Sequence, residues 1–236
     1  MQTSAVREKK LGVIAHVGTN SIVEMIEMAK HAESLGVQGI SAYVPSYYKP
    51  KDARDCAELM IRIAHEVPST PIYFYYFPAM NSVVTSVPQV LEISNEFAPN
   101  VIGCKFTAPN IADVRRCASS GFNTLIGASE MFSYGLAAGA DGCIGATFNF
   151  SGNLHANVYK NFMAGDRDKA DEYTMKSGVI ARVTEGTGNL FSARGYLWER
   201  LRGFDLGPTR YPCKGLDGEQ KAKLDEFIEN FNWESS

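Results

Sequence analysis

N-V-I-G-C-K-F-T-A, residues 100–108, is an apolar run with a lysine set into it. Val101, Ile102, Cys104 and Phe106 supply the apolar side chains, and Pro99 and Pro109 bound the segment. A short, continuous apolar run closed by turn formers reads as a buried strand of a parallel sheet. Lys105 lies near its C-terminal end. Taking an ammonium out of water is costly, so this lysine needs a partner or a lowered pKa. A lysine held partly neutral is the reagent that forms a Schiff base with a carbonyl substrate. The competing reading is a lysine whose stem lies along the sheet while its head reaches the edge.

Strand patterns precede this run at Leu11–Val17, Val37–Val44 and Ile72–Phe77, and follow it at Thr124–Ile126 and Gly142–Thr147. Helical patterns separate them. Ser21-Ile22-Val23-Glu24 is a capping box ahead of a helix that Gly36 stops. Asp52 opens a second helix with Cys56, Ala57, Met60 and Ala64 on one face. Ser86-Val87-Pro88-Gln89 begins a third, and Ile111–Ala118 a shorter fourth. Such alternation of strand and helix specifies βαβ units and a parallel sheet. From Asn153 onward only helices are expected, the last with Leu224, Phe227, Ile228 and Phe231 on one face.

The composition bounds the function classes. The chain has 236 residues, 45% hydrophobic and 21% charged, with a net charge of −3. No basic cluster invites nucleic acid or an anionic membrane. The apolar runs are too short to span a bilayer, and the polar first ten residues do not read as a signal peptide. Five scattered cysteines without a C-x-x-C pair read as reduced thiols of a cytoplasmic protein. His16, His31, His65 and His155 lack metal-ligand spacing, so no metal site is expected.

In parallel α/β folds chemistry gathers at the C-terminal ends of the strands. There this chain places His16-Val17-Gly18-Thr19, Ser46-Tyr47-Tyr48, Tyr75-Tyr76, Lys105-Phe106-Thr107, Gly127-Ala128-Ser129-Glu130 and Gly145-Ala146-Thr147. A tyrosine beside a lysine can pass protons to and from a carbonyl substrate. The strand tyrosines can equally be sheet-filling aromatics, and Glu130 a helix-dipole partner.

I-A-H-V-G (Ile14–Gly18), Pro45-Ser46-Tyr47-Tyr48, Y-Y-F-P-A (Tyr75–Ala79), G-C-K-F-T (Gly103–Thr107), G-A-D-G-C-I-G-A-T-F-N (Gly139–Asn149) and Gly207-Pro208-Thr209-Arg210-Tyr211-Pro212 together resemble the N-acetylneuraminate lyase family. That family belongs to the class I aldolase superfamily that includes dihydrodipicolinate synthase. The resemblance implies a TIM-barrel type (β/α)8 fold lacking its first two βα units, with a C-terminal helical extension. Residues 1–10 would be a polar tail, 11–152 the partial barrel, and 153–236 the last barrel helices and the extension. The missing units would include the family's Gly-Ser/Thr-Thr-Gly-Glu loop, which holds the pyruvate carboxylate.

The implied activity is cleavage of N-acetylneuraminate to pyruvate and N-acetylmannosamine. Lys105 then aligns with the Schiff-base lysine and Tyr75 with the proton-transfer tyrosine. Tyr47 matches a tyrosine that relatives contribute across a subunit interface. Thr107, Gly127, Ser129, Glu130 and Ala146 occupy substrate-holding positions. The partner implied is a small 2-keto acid, without nucleic acid, membrane or cofactor, in a homo-oligomer that relatives form as a tetramer. Ser129 stands where the family usually has Asp, and Ala146 where it usually has Ser. Both changes remove hydrogen-bonding capacity and leave another 2-keto acid as an alternative substrate. A non-catalytic subunit lacking the carboxylate loop is the alternative from another class.

Overall fold

The structure is a computed structural model and describes residues 11–233. The expected polar tail lies outside the described residues. Elements alternate from β1 (Ile14–His16) through α1 (Ile22–Ser34), β2 (Gly39–Ala42), α2 (Ala53–Glu66) and β3 (Ile72–Tyr76). A one-turn helix α3 (Pro78–Asn81) and α4 (Val87–Phe97) lead to β4 (Val101–Phe106), α5 (Ile111–Ser119) and β5 (Asn123–Ile126). A 3-10 turn (Ser129–Met131), α6 (Phe132–Ala137) and β6 (Gly142–Cys143) follow. Helices α7 (Phe148–Met163), α8 (Arg167–Gly186), α9 (Leu190–Arg202) and α10 (Gly218–Asn230) complete the described chain. Six strands with intervening helices and a helical C-terminal part make this the TIM-barrel type of α/β fold, two strands short of eight. No helix of the described residues is long and apolar enough to cross a membrane.

Two compact units divide the chain. The first runs to Gly127 and includes Ala138–Asp141; the second comprises Ala128–Ala137 and the residues from Gly142 onward. In the first unit β1 to β5 lie in chain order, every neighbouring pair parallel. The register sets Tyr75 beside Lys105, Phe74 beside Cys104 and Tyr76 beside Phe106. Because successive residues of a strand face opposite ways, Phe74, Tyr76, Cys104 and Phe106 share one face and Tyr75 and Lys105 the other. The first set is buried, and the Tyr76 and Phe106 rings meet at 5.2 Å between centroids. Cys56, Ala57, Met60 and Ala64 of α2 are fully buried, as their helical spacing predicts.

Local chemistry fixes the helix starts. Asp52 accepts the Asp55 N–H at 3.0 Å, and Asn110 accepts that of Asp113 at 3.2 Å. The box expected at Ser21 forms by half. Ser21 Oγ accepts the Glu24 N–H at 3.4 Å, while the Ser21 N–H donates to Thr19 Oγ1 rather than to Glu24. The edge of β5 is completed by an aspartate: Asp141 Oδ2 accepts the Thr124 N–H at 2.8 Å and the Asp141 N–H reaches Thr124 O at 2.9 Å.

The second unit buries Phe150, Leu154, Ile180, Ala193, Leu197 and Leu224 in one cluster of α7 to α10. Phe132 and Leu136 of α6 pack with Val158, Phe162 and Ala170 in another. A full capping box starts α10. Asp217 accepts the Gln220 N–H at 2.8 Å while Gln220 Oε1 accepts that of Asp217 at 2.9 Å. The expected strand Gly142–Thr147 stops at Cys143. From Gly145 the backbone winds at once, with Phe148 N–H to Gly145 O at 3.2 Å and Phe150 N–H to Thr147 O at 3.2 Å. Phe97, the last residue of α4, is 60% exposed.

Candidate active site

The first unit gathers polar groups on the face opposite its aromatic core. Lys105, half-buried at the C-terminal end of β4, holds Nζ 4.2 Å from the centroid of the Tyr75 ring. A cation over an aromatic face is attracted to it, so the tyrosine supplies part of what desolvation removes. His16, ending β1, meets the edge of Tyr75 and stacks on Tyr43, both at 5.3 Å between centroids. Its Nδ1 lies 3.1 Å from Ser41 Oγ. Desolvation first, and then the Lys105 charge, lower the His16 pKa below its ordinary value. The ring is therefore neutral around pH 7. The strand-end position of His16 is plain in the sequence, but a histidine on a strand declares its neighbours only once the register is known.

Thr107 and Gly127 form a second contact on this unit. The Thr107 N–H bonds Tyr76 O and the Gly127 N–H bonds Phe106 O, each at 2.8 Å, which extends both strands by one residue. A Cβ at Gly127 would collide with Thr107 Oγ1, so only glycine allows the approach. Thr107 Oγ1 is buried with no hydrogen-bond partner among the described residues. Tyr47 stands apart, 79% exposed, its ring 4.9 Å from that of Tyr48. Asn20 Oδ1 holds its loop by accepting the N–H groups of Ser46 and Tyr47 at 2.9 and 3.3 Å.

Ser129, Glu130 and Ala146 belong to the second unit. Ser129 is buried in a chain of hydroxyls around His155. His155 Nδ1 lies 2.8 Å from Ser151 O, and a carbonyl only accepts, so Nδ1 carries the proton and Nε2 is an acceptor. Ser177 Oγ, at 3.0 Å, donates to Nε2, and Thr147 Oγ1 donates to Ser129 Oγ at 2.7 Å. His155 is fully buried, and desolvation pushes its pKa down to about 4. Glu130 is exposed, at the start of the 3-10 turn. Its charge, with that of Glu185, favours the protonated state of Arg194. Ala146 is exposed and lines a cavity along α9. The structure thus brings Lys105 to Tyr75 and Thr107 to Gly127. Among the described residues no group of His, Cys, Asp or Glu side chains is placed to hold a metal ion.

The Dihydrodipicolinate synthetase family matches residues 1–231. N-acetylneuraminate lyase of Gallus gallus is 30% identical over 225 residues, covering 94% of this chain and 73% of that protein. The Proteus mirabilis N-acetylneuraminate lyase structure superimposes with a TM-score of 0.87 at 29% identity, covering 97% of this chain and 78% of that one. The sialic acid aldolase of Aliivibrio salmonicida gives 0.87 at 27% identity over 97% of this chain. The chain therefore belongs to the dihydrodipicolinate synthetase family and is an enzyme of the lyase type.

Proposed function

We propose that the chain is a class I aldolase that cleaves a 2-keto acid through a Schiff base on Lys105, with N-acetylneuraminate as substrate and pyruvate and N-acetylmannosamine as products. The observation that carries this reading is the half-buried amine of Lys105 against Tyr75 on neighbouring parallel strands, at their C-terminal ends. The Lys105 amine adds to the C2 carbonyl and water leaves, giving an iminium. That cation takes up the electron pair of the breaking carbon–carbon bond, and the released aldehyde carries the other carbon. The resulting enamine is protonated, and water returns pyruvate and the free amine.

Tyr75 takes the proton from the substrate hydroxyl as that oxygen becomes the aldehyde carbonyl, and returns a proton to the enamine carbon. His16, neutral and edge-on to Tyr75, positions that ring. Thr107, with its unspent hydroxyl beside Gly127, and Ser129, Glu130 and Ala146 hold the substrate. Tyr47, exposed on its loop, serves a neighbouring subunit of a tetramer, as in the family. The buried thiols Cys56, Cys104 and Cys117 suit a cytoplasmic protein. The names of the relatives and the match to their structures support the choice of substrate.

The test is reductive trapping. Incubation with pyruvate and borohydride should add a pyruvate-derived mass to Lys105, located by peptide mass spectrometry. Lys105→Met should abolish the adduct and lower turnover by roughly four orders of magnitude or more. An adduct of equal yield in Lys105→Met, or none in the parent chain, would overturn the reading.

A further inference from the structure

Tyr47 lies in residues 46–49, a stretch between Pro45 and Pro50 that belongs to no helix or strand. No backbone repeat fixes it there. Its side chain is largely in solvent, with the Tyr48 ring edge-on to it. A tyrosine so placed is oriented only if something outside the stretch holds its backbone.

Asn20 does so. Its Oδ1 accepts the Ser46 N–H at 2.9 Å, the Ser46 hydroxyl at 3.1 Å and the Tyr47 N–H at 3.3 Å. All three partners are donors, so it is the oxygen of the amide that meets the stretch. Asn20 itself stands on a fixed base. On one side the Val17 N–H bonds Ser41 O at 2.8 Å, next to the end of β1. On the other, Ser21 caps α1 by accepting the Glu24 N–H. Thr19 Oγ1 spans Asn20 by accepting the Ser21 N–H at 3.0 Å. The end of β1 and the start of α1 thus carry Asn20, and Asn20 carries the backbone of Tyr47.

We propose that Asn20 is a positioning residue for Tyr47 and, through it, for the Lys105 site of a neighbouring subunit. This rests on the proposed aldolase reaction, in which Tyr47 serves that neighbour. Without the Asn20 oxygen, residues 46 and 47 regain backbone conformations that must be suppressed whenever the site is assembled. Misplaced groups lose rate steeply. The requirement is for an acceptor: an aspartate supplies one, and its charge is favoured ahead of a helix N-terminus, whereas a leucine of similar size supplies none.

Turnover of N-acetylneuraminate by the full chain tests it. Asn20→Leu should lower kcat/KM about tenfold or more, with unchanged circular dichroism and with the Lys105 adduct still trapped. Asn20→Asp should restore it to within about threefold of the parent. Added to Tyr47→Ala, Asn20→Leu should cost nothing more, because both act through one side chain. Mixed oligomers give a readout that a general weakening would not move. A Lys105→Met subunit lacks the amine but keeps Asn20 and Tyr47; an Asn20→Leu subunit keeps the amine. Co-expressed with different affinity tags and purified on both, they should return turnover per Asn20→Leu subunit to within about threefold of the parent.

Four results overturn the proposal while trapping in the parent leaves the aldolase reaction standing: a folded Asn20→Leu as active as the parent, Asn20→Asp as impaired as Asn20→Leu, a loss that multiplies with that of Tyr47→Ala, or no rescued mixed oligomer. A parent chain that neither traps pyruvate nor turns over removes the aldolase reaction itself, and the role of Asn20 with it. If Asn20→Leu does not fold, Asn20→Ala takes its place in each comparison.

Discussion

His16 in the first unit and His155 in the second are both imidazoles whose pKa burial lowers, yet their surroundings differ in kind. His155 is sealed among groups that use both its nitrogens: a carbonyl on Nδ1, a serine hydroxyl on Nε2. His16 is exposed at a strand end, has Ser41 on one nitrogen only, and faces an aromatic ring and a cation. A ring with every polar atom spent serves architecture. A ring with one side left over, beside an amine and a phenol, is placed to assist the chemistry proposed for Lys105. The first unit therefore exposes polarity on the register of parallel strands, and the second buries it between helices.

That contrast can be broken by experiment, most sharply at Tyr75. Tyr75→Phe keeps the ring under the Lys105 ammonium and removes only the hydroxyl. Turnover should fall roughly 10²- to 10⁴-fold while borohydride still traps the Lys105 adduct; loss of trapping would mean that the hydroxyl is needed for Schiff-base formation itself. The second unit should respond through stability instead. The unfolded His155 takes a proton near pH 6.5, and the folded one resists until about pH 4. Between those values the unfolded state binds more protons, so the stability present above pH 6.5 is lost as pH falls, by on the order of 3 kcal/mol. Urea midpoints across that window should show this slope, shallower in His155→Asn; the residual slope contains His16, whose shift has the same sign.

Smaller effects sharpen the picture. Gly127→Ala drives a methyl into Thr107 and should cost about 1–3 kcal/mol, relieved by pairing it with Thr107→Ala. Asp217→Ala removes the α10 cap and should cost about 1 kcal/mol in the same denaturation assay, with no change in trapping at Lys105.

What could be read in advance follows the same division. Lys105 was legible because a parallel strand advertises itself as an apolar run, and a lysine inside one is conspicuous; Tyr75 was set apart from the other strand tyrosines only by the family resemblance. Their adjacency needed only strand order and register. The length of β6 was not legible. Gly145 to Thr147 look extended, but a Cβ at Gly145 would run into Ser129 Oγ, a contact across sixteen positions of sequence that a local pattern does not encode. The role of His155 was hidden for the same reason, since its partner Ser177 stands a full helix away. Phe191, Arg194 and Trp198 share a helical face on paper. Only the packing of α9 shows that this face borders a cavity as well as core, with Trp198 packed against the buried cluster.

Thr107 carries a consequence of its own. Its hydroxyl is walled off from water, and no group among the described residues answers it. A valine of the same outline would suit the unoccupied protein better, because an unanswered buried oxygen is a standing deficit of about 1–3 kcal/mol. The sum of forces within the polypeptide is thus left open by one hydrogen bond at this point, and the proposed function gives that bond to the substrate.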